Sequence, residues 1–178
     1  MKLIVGLGNP GQRYTHTRHN VAWYVLATEF SFSRQQKFQS LIARPAPDLL
    51  IALPQTFMNN SGSAVALVSN YYKIKPDDIW VVHDEIDLPL GTIRVNYDRS
   101  SAGHRGVASV IESLHTQEFW RIRIGIQAPS QEAVPTDAYV LQPFTPEEQP
   151  QLQRVITSAR SLIQHMVTYG ISEQNQVV

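Results

Sequence analysis

The chain has 178 residues, carries 15 basic and 15 acidic side chains, and contains no cysteine. This length suits one domain better than two, and the charge balance argues against a protein that coats nucleic acid or membranes by bulk charge. The absence of cysteine excludes disulfides, thiolate metal sites and a cysteine nucleophile. Because we find no signal peptide and no long apolar segment, we expect a cytoplasmic protein without membrane attachment.

The charges are unevenly distributed along the chain. Residues 1–47 carry six basic side chains and one acidic, and residues 91–125 carry five basic and three acidic. If these two segments meet in space, a neutral protein presents a cationic face to a partner. The alternative is an ordinary mixed surface, and both interpretations remain open at this point.

Strand and helix signals alternate along the chain, which predicts an α/β fold. Apolar runs predict buried strands over residues 2–8, 49–53 and 79–83. Period-two alternation predicts more exposed strands over residues 92–97 and 120–126. Helical periodicity fills the gaps, and it predicts helices from about residue 18, around 64–72, around 107–114 and from 145 to 170.

The end of the chain has two further features. Residues 127–146 are rich in proline and are predicted to form a long connection that flanks a site. Residues 172–176 are polar, and residues 171–178 are expected to form a short flexible tail. We therefore expect a single α/β domain over residues 1–170.

The loop after the first strand has the glycine spacing of the dinucleotide-binding fingerprint, at Gly6, Gly8 and Gly11. That motif works only if the loop runs directly into a helix whose N-terminus holds the pyrophosphate. Here Pro10 lies inside the loop, and helical periodicity starts only around Arg18. The pattern favours a tight turn that aims Asn9 over the sheet.

Metal sites and serine-hydrolase sites are not indicated. No serine has the spacing of a nucleophile elbow. His83, Asp84 and Glu85 are consecutive on a strand, so their side chains alternate in direction and cannot all face one ion. His16 and His19 are three residues apart, but no third ligand with suitable spacing follows. We therefore expect neither a metal nor a cofactor.

Polar residues follow three of the predicted strands, at Asn9, in residues 55–60 and at Asp84. In open α/β sheets, ligands collect beyond the carboxyl ends of the strands. His19 lies in the first turn of the next helix, where the helix dipole disfavours the imidazolium form. A carboxylate such as Asp84 has the opposite effect and fixes one tautomer. The combination describes a general base suited to neutral pH.

The two asparagines, Asn9 and Asn59, are suited to position a carbonyl group or to stabilise an oxyanion. Simpler interpretations remain open for each residue. His19 is also a plausible helix-start residue, Asn59 a helix cap and Asp84 a turn former.

Six blocks stand in order along the chain: KLIVGLGNPG (2–11), Tyr14 followed by TRHN (17–20), PQTFMNNSG (54–62), HDEIDLPLG (83–91), GHRG (103–106) and RIRIGI (121–126). Together they resemble the bacterial-type peptidyl-tRNA hydrolases over nearly the whole chain. The resemblance implies a single domain with a mixed, twisted β-sheet covered by helices, without metal or cofactor. It also implies hydrolysis of the ester between a peptide and the 3′ end of tRNA, which recycles tRNA from prematurely released peptidyl-tRNA.

The same resemblance implies a role for each matching residue. His19 takes a proton from water, and Asp84 holds His19 in its basic form. Asn9 and Asn59 bind the peptidyl-ester end, and Asn9 helps to distinguish blocked from free aminoacyl-tRNA. Two aromatic residues line the groove that receives the peptide and the terminal nucleotide, Tyr14 and Phe57.

Arg105 stands in GHRG where the family usually has asparagine. Because arginine cannot accept a hydrogen bond, we expect Arg105 either to contact a phosphate or to leave the positioning of water to the backbone or to His104. Three more arginines are candidates for tRNA phosphates: Arg94, Arg121 and Arg123. The alternative is that these arginines form ordinary ion pairs with Asp98, Glu112 and Glu118.

Two classes of function follow. The first is a monomeric esterase whose partner is peptidyl-tRNA, and the second is a non-catalytic RNA-binding relative of the same fold. His19, Asp84, Asn9 and Asn59 favour the enzyme, whereas Arg105 favours the alternative. An esterase for another small ester is a more distant possibility, which the arginine-rich segment disfavours.

Overall fold

The computed structural model describes residues 1–128 and 134–178. Its strands are β1 (Lys2–Gly6), β2 (Ser33–Gln35), β3 (Ser40–Ala46), β4 (Leu49–Pro54), β5 (Ile79–Pro89), β6 (Thr92–Tyr97), β7 (Trp120–Gln127) and β8 (Gln174–Val177). Its α-helices are α1 (Val21–Leu26), α2 (Ser61–Tyr72), α3 (Arg105–Leu114), α4 (Thr136–Tyr139) and α5 (Gln149–Tyr169). Over the described residues the strands form one sheet, in the order β2-β3-β4-β1-β5-β7-β6-β8.

The sheet is mixed, as the resemblance implies. Its centre is parallel, because β1 pairs in parallel with β4 and β5, and β5 pairs in parallel with β7. The outer strands pair in antiparallel fashion. The central strands are apolar on both sides because helices cover both faces of the sheet.

Two hydrophobic clusters lie on opposite faces of the sheet. Alternate residues of β1 show the division, since Ile4 packs in the cluster with α1 and α5, whereas Leu3 and Val5 pack in the cluster with α2 and α3. All three side chains are fully buried. The chain is therefore a three-layer α/β domain, and the predicted fold class is confirmed.

The five predicted strands are present, but β5 is longer than expected. The sequence predicts a strand that stops at residue 83, whereas β5 continues to Pro89. The last β5 residue that pairs with β1 is Val82, opposite Gly6, while the pairing of β5 with β7 continues beyond Asp84. Asp84 therefore lies inside a strand and not after its end. It still faces a crevice, because β1 has already ended beside it.

The helix predictions need two adjustments. The first helix starts as a 3₁₀ turn at Arg18–Asn20 before the α-helical turns begin. The sequence predicts a last helix that starts at residue 145, whereas the helix begins at Gln149. The Thr145 N–H donates to Glu148 Oε2 over 2.7 Å, which is one half of a capping box. Of the predicted long connection, residues 129–133 lie outside the described residues, and the part that follows them contains α4.

The sequence predicts a flexible tail over residues 171–178, whereas residues 174–177 form β8. This segment pairs antiparallel with β6 at the edge of the sheet. The Val178 N–H also donates to the Gly91 carbonyl over 2.8 Å. Because backbone pairing at an edge needs no apolar side chains, the polar sequence Gln-Asn-Gln gives no strand signal. None of the described helices is long and apolar enough to cross a membrane.

Candidate active site

A cleft of about 750 Å³ opens at the carboxyl ends of β1 and β4, beside β5. The loop after β1 contributes Asn9 and Tyr14, and the segment after β4 contributes Phe57, Met58 and Asn59. The other walls come from β5, from the start of α3 and from residues 136–141. The topology therefore brings the three predicted strand-end groups into one site.

Asp84 is the centre of a buried hydrogen-bond cluster at the floor of the cleft. Its Oδ1 atom lies 2.8 Å from His19 Nδ1 and 2.9 Å from His104 Nε2. The Asp84 side chain is only 2% exposed. Burial by itself raises the pKa of Asp84, but His19 and His104 outweigh this effect and hold that pKa well below its ordinary value. The carboxylate is therefore ionised at neutral pH.

The ionised carboxylate sets the tautomer of His19. Because the carboxylate can only accept at Oδ1, the His19 proton lies on Nδ1. Nε2 is then the ring nitrogen that carries a free lone pair, on a side chain that lines the cleft. The arrangement is that of a general base oriented by a carboxylate.

Asn9 is held in one orientation by its neighbours. Its Oδ1 atom accepts the Met58 N–H over 2.8 Å. Its backbone N–H donates to Asn20 Oδ1, and its carbonyl accepts from Asn20 Nδ2, both over 2.9 Å. Since Oδ1 is already used by Met58, the amide group that Asn9 offers to the cleft is the donor Nδ2.

Arg18 anchors the turn that carries His19. Its guanidinium lies 2.6 Å from Glu148 Oε2 and 4.4 Å from the centre of the Tyr139 ring, and the side chain is fully buried. The His19 N–H donates to the Val140 carbonyl over 2.8 Å. The turn is therefore fixed to residues 136–141, the segment that forms one wall of the cleft.

The other predicted substrate residues lie at the entrance. Phe57 is 54% exposed, and its ring packs edge-on against Tyr14 with 6.2 Å between ring centres. Asn59 and Arg105 are exposed and also line the cleft. The structure thus brings all seven predicted catalytic and substrate-binding residues to one cleft: Asn9, Tyr14, His19, Phe57, Asn59, Asp84 and Arg105.

Comparison with known proteins agrees with this geometry. The profile of a family described as peptidyl-tRNA hydrolase matches residues 3–178. The chain belongs to the peptidyl-tRNA hydrolase family.

Individual relatives support the assignment over nearly their full lengths. The peptidyl-tRNA hydrolase of Sulfurihydrogenibium sp. is 43% identical, with 97% of this chain and 94% of the relative covered. That of Persephonella marina is 44% identical with the same coverage. A crystal structure of peptidyl-tRNA hydrolase from Acinetobacter baumannii superposes with a TM-score of 0.81 at 32% identity, covering 96% of this chain and 92% of that one.

The chain has a second cavity of about 280 Å³, which also includes Glu85 and Ala102 of the cleft lining. Four arginines line it: Arg94, Arg99, Arg121 and Arg123. Arg121 is 1% exposed, and within residues 1–128 and 134–178 its Nε and Nη1 atoms have no hydrogen-bond partner. Burial, together with the neighbouring Arg123, lowers the pKa of Arg121 to about 10. A protonated guanidinium with free donors remains at neutral pH.

Among the candidate arginines of the described residues, Arg123 forms an ordinary ion pair, but its partner is not one of the three expected acidic residues. Arg123 Nε donates to Glu85 Oε2 over 2.9 Å. Within residues 1–128 and 134–178, no ion pair joins the candidate arginines to Asp98, Glu112 or Glu118. The cationic groups of the first charged segment do not enter this cavity, which is lined from residues 83–123.

His19, Asp84 and His104 also place three potential metal-ligand atoms within 4.8 Å of one another. The hydrogen bonds do not suit a cation, because His104 Nδ1 accepts two backbone N–H groups, from Gly106 and Val107. Its proton must therefore lie on Nε2, the atom that a metal would need. These contacts instead fit an Asp84 carboxylate that accepts one N–H from His19 and one from His104.

Sequence reasoning gave no role to Asn20 and named His104 only as a substitute for the usual asparagine. Asn20 fixes the Asn9 backbone, and His104 contacts the Asp84 carboxylate. Both residues lie inside the quoted blocks TRHN and GHRG, so the motifs pointed to them. Their contacts join residues 11 and 20 positions apart, and spacing alone does not predict such contacts.

Proposed function

We propose that this chain hydrolyses the ester of peptidyl-tRNA with His19 as the general base and Asp84 as the residue that orients it. The observation that carries the proposal is the 2.8 Å contact between His19 Nδ1 and the buried, ionised Asp84 at the floor of an open cleft. It leaves His19 Nε2 available to a water molecule. Membership of the peptidyl-tRNA hydrolase family supports the choice of ester.

The proposed reaction has two steps. Water attacks the ester carbonyl carbon while His19 Nε2 takes one of its protons, which gives a tetrahedral intermediate and an imidazolium paired with Asp84. The intermediate then expels the 3′ oxygen of the terminal ribose, which receives the proton from His19. The products are a peptide with a free carboxyl group and tRNA with a free hydroxyl, and the base is regenerated.

Asn9 and Asn59 are proposed to bind the carbonyl region of the substrate. Asn9 Nδ2 is a donor held in place from behind by Met58 and Asn20, which suits a group that develops negative charge. Tyr14 and Phe57 supply an aromatic wall at the entrance, which suits a nucleobase and an apolar peptide side chain.

The arginine cavity is proposed to bind tRNA phosphate. The free Nε and Nη1 donors of Arg121 support this, together with Arg94 and Arg123 in the same lining. Arg105, at the entrance of the cleft, is proposed to contact a phosphate near the ester. These few cations give local attraction on a chain with zero net charge.

We further propose that the protein acts as a monomer in the cytoplasm. Its substrate is a product of translation, and every residue assigned to the reaction comes from one chain. Sedimentation of the purified protein tests the first point, and a stable dimer would contradict it.

The test of function is the release of tRNA from N-acetyl-aminoacyl-tRNA by wild type and by His19→Ala. Loss of a general base is expected to reduce kcat by about 10²–10⁴-fold. Unblocked aminoacyl-tRNA is the control for the discrimination assigned to Asn9. If wild type binds tRNA without turnover, the chain is the non-catalytic RNA-binding relative instead.

A further inference from the structure

Two histidines contact the same oxygen of Asp84, and only one of them is proposed as the base. His19 and His104 lie 2.8 and 2.9 Å from Asp84 Oδ1, and their rings are 5.0 Å apart. Both side chains are largely buried. The difference between them lies in the second nitrogen of each ring.

The second nitrogen of His104 is already occupied. His104 is the N-cap of α3, and its Nδ1 atom accepts the N–H groups of Gly106 and Val107 over 3.1 and 3.2 Å. An atom that accepts two N–H groups cannot carry a proton, so the single proton of neutral His104 lies on Nε2. That proton is donated to Asp84.

Close packing keeps the His104 ring over the start of the helix. A Cβ atom at Gly106 would lie 3.1 Å from His104 Cε1 and 2.4 Å from Met58 Sδ, so the absence of a side chain at Gly106 makes room for the ring. On its other side, the His83 ring packs edge-on against His104 with 4.7 Å between centres. The charged and titratable groups around His104 are Asp84, His19, His83 and the adjoining Arg105.

We propose that His104 is a positioning residue, which acts through Asp84 to orient His19 and cannot itself act as the base. This inference rests on the proposed function. Two N–H donors that converge on one oxygen prevent the carboxylate from rotating, so the His19 ring keeps Nε2 directed at the water. A second proton on His104 would have to displace the helix cap, so proton transfer is confined to His19.

Two substitutions separate the two contacts of His104. Asparagine places its amide near the position of Nδ1, so His104→Asn keeps the helix cap and loses the donor to Asp84. Glutamine reaches the position of Nε2, so His104→Gln keeps that donor and loses the cap. Each variant is the control for the other.

The experiment measures kcat and KM for N-acetyl-aminoacyl-tRNA, together with Tm. For His104→Asn we expect kcat to fall about tenfold or more, as for the loss of a hydrogen bond to a charged group, while KM and Tm stay near wild type. For His104→Gln we expect a lower Tm with kcat within about threefold of wild type. A wild-type kcat in His104→Asn, or equal losses of kcat in both variants, would overturn the proposal.

A spectroscopic measurement tests the inference independently of turnover. Nitrogen-15 spectra of the wild-type imidazoles are expected to show His104 as the Nε2–H tautomer, and His104→Asn is expected to shift the His19 Nδ1 signal. A His104 proton on Nδ1 would rule out the role, even if folding of either variant failed. If His19→Ala were fully active, the proposed function would fail while the tautomer result still stood.

Discussion

The two cavities share Glu85 and Ala102 but differ in how the hydrogen-bonding capacity of their polar groups is satisfied. In the cleft, Asp84 receives two N–H donors and Asn9 is bonded on three atoms. In the arginine cavity, the Nε and Nη1 atoms of buried Arg121 have no partner in the part of the chain that the structure describes.

This difference indicates two modes of action. A buried donor without an acceptor costs about 1–3 kcal/mol, so free donors are expected where a ligand later supplies the acceptor. A fully bonded cluster instead holds its groups in place before substrate arrives. We therefore expect the reaction to take place in the cleft and an anion to bind in the arginine cavity.

The strongest test of this contrast is Asp84→Asn. The amide cannot carry the charge that stabilises the imidazolium and fixes its tautomer, so kcat is expected to fall by about 10³–10⁴-fold. Single-turnover release of tRNA measures the effect. Asp48→Asn is the matched control, since Asp48 is exposed and precedes β4 at the opposite end of the strand. Equal effects of the two substitutions would remove Asp84 from the mechanism.

A smaller loss is expected from Asn9→Asp. The new carboxylate still accepts the Met58 N–H, but it has no donor for the substrate carbonyl. We expect kcat/KM to fall about 10²–10³-fold, the cost of removing one oxyanion donor. Unfolding in urea checks that the fold is retained. Wild-type kcat/KM in a folded variant would mean that Asn9 Nδ2 does not contact the carbonyl.

The arginine cavity is tested by salt. If its arginines contact phosphate, log KM should rise with log salt concentration, and Arg94→Ala should reduce that slope by about one. Arg94 suits this test better than Arg123, because loss of Arg123 would leave the buried Glu85 carboxylate without its ion-pair partner. Arg154→Ala, on the exposed surface of α5, is the control. A KM independent of salt would contradict phosphate binding.

The smallest expected effect concerns acid stability and His83. Burial, followed by the charge of His104, lowers the pKa of His83 well below its ordinary value, so the unfolded chain takes up a proton that the folded chain does not. His83 therefore favours folding above about pH 6.5, and this contribution is lost as pH falls, by up to about 1.4 kcal/mol per unit.

His83→Asn removes this titration and retains a donor near Nδ1, the atom that contacts the Asp84 carbonyl over 2.6 Å. Urea unfolding between pH 7 and 5 should show a shallower decline for the variant. Identical pH slopes would show that His83 does not contribute to acid lability.

The sequence predicted the centre of the fold because apolar runs such as Leu49–Leu53 are buried on both faces. It missed β2, β3 and β8, where polar or proline-containing segments pair through their backbones at the outer part of the sheet. Edge strands need little hydrophobic pattern, so propensity does not reveal them.

The candidate site also has residues that the sequence predicted and contacts that it missed. Asn9 was found because it follows the carboxyl end of β1, where a crevice is expected. Asp84 was found although β5 continues past it to Pro89, because β1 ends beside it. The contact between His104 and Asp84 depends instead on the angle at which α3 approaches β5, which tertiary packing sets. The neutral charge balance argued against a nucleic-acid partner. The cavity shows that four arginines still concentrate positive charge in one place on a chain with no net charge.

The paired hydrogen bonds between Asn9 and Asn20 have a further consequence. Asn20 directly follows His19, so its two hydrogen bonds join the loop that carries Asn9, the proposed carbonyl donor, to the turn that carries His19, the proposed base. Folding of the chain therefore fixes the distance between the side chains of His19 and Asn9. Both side chains are already in position when a substrate binds. Opening and closing of the cleft would move His19 and Asn9 together and leave their relative position unchanged.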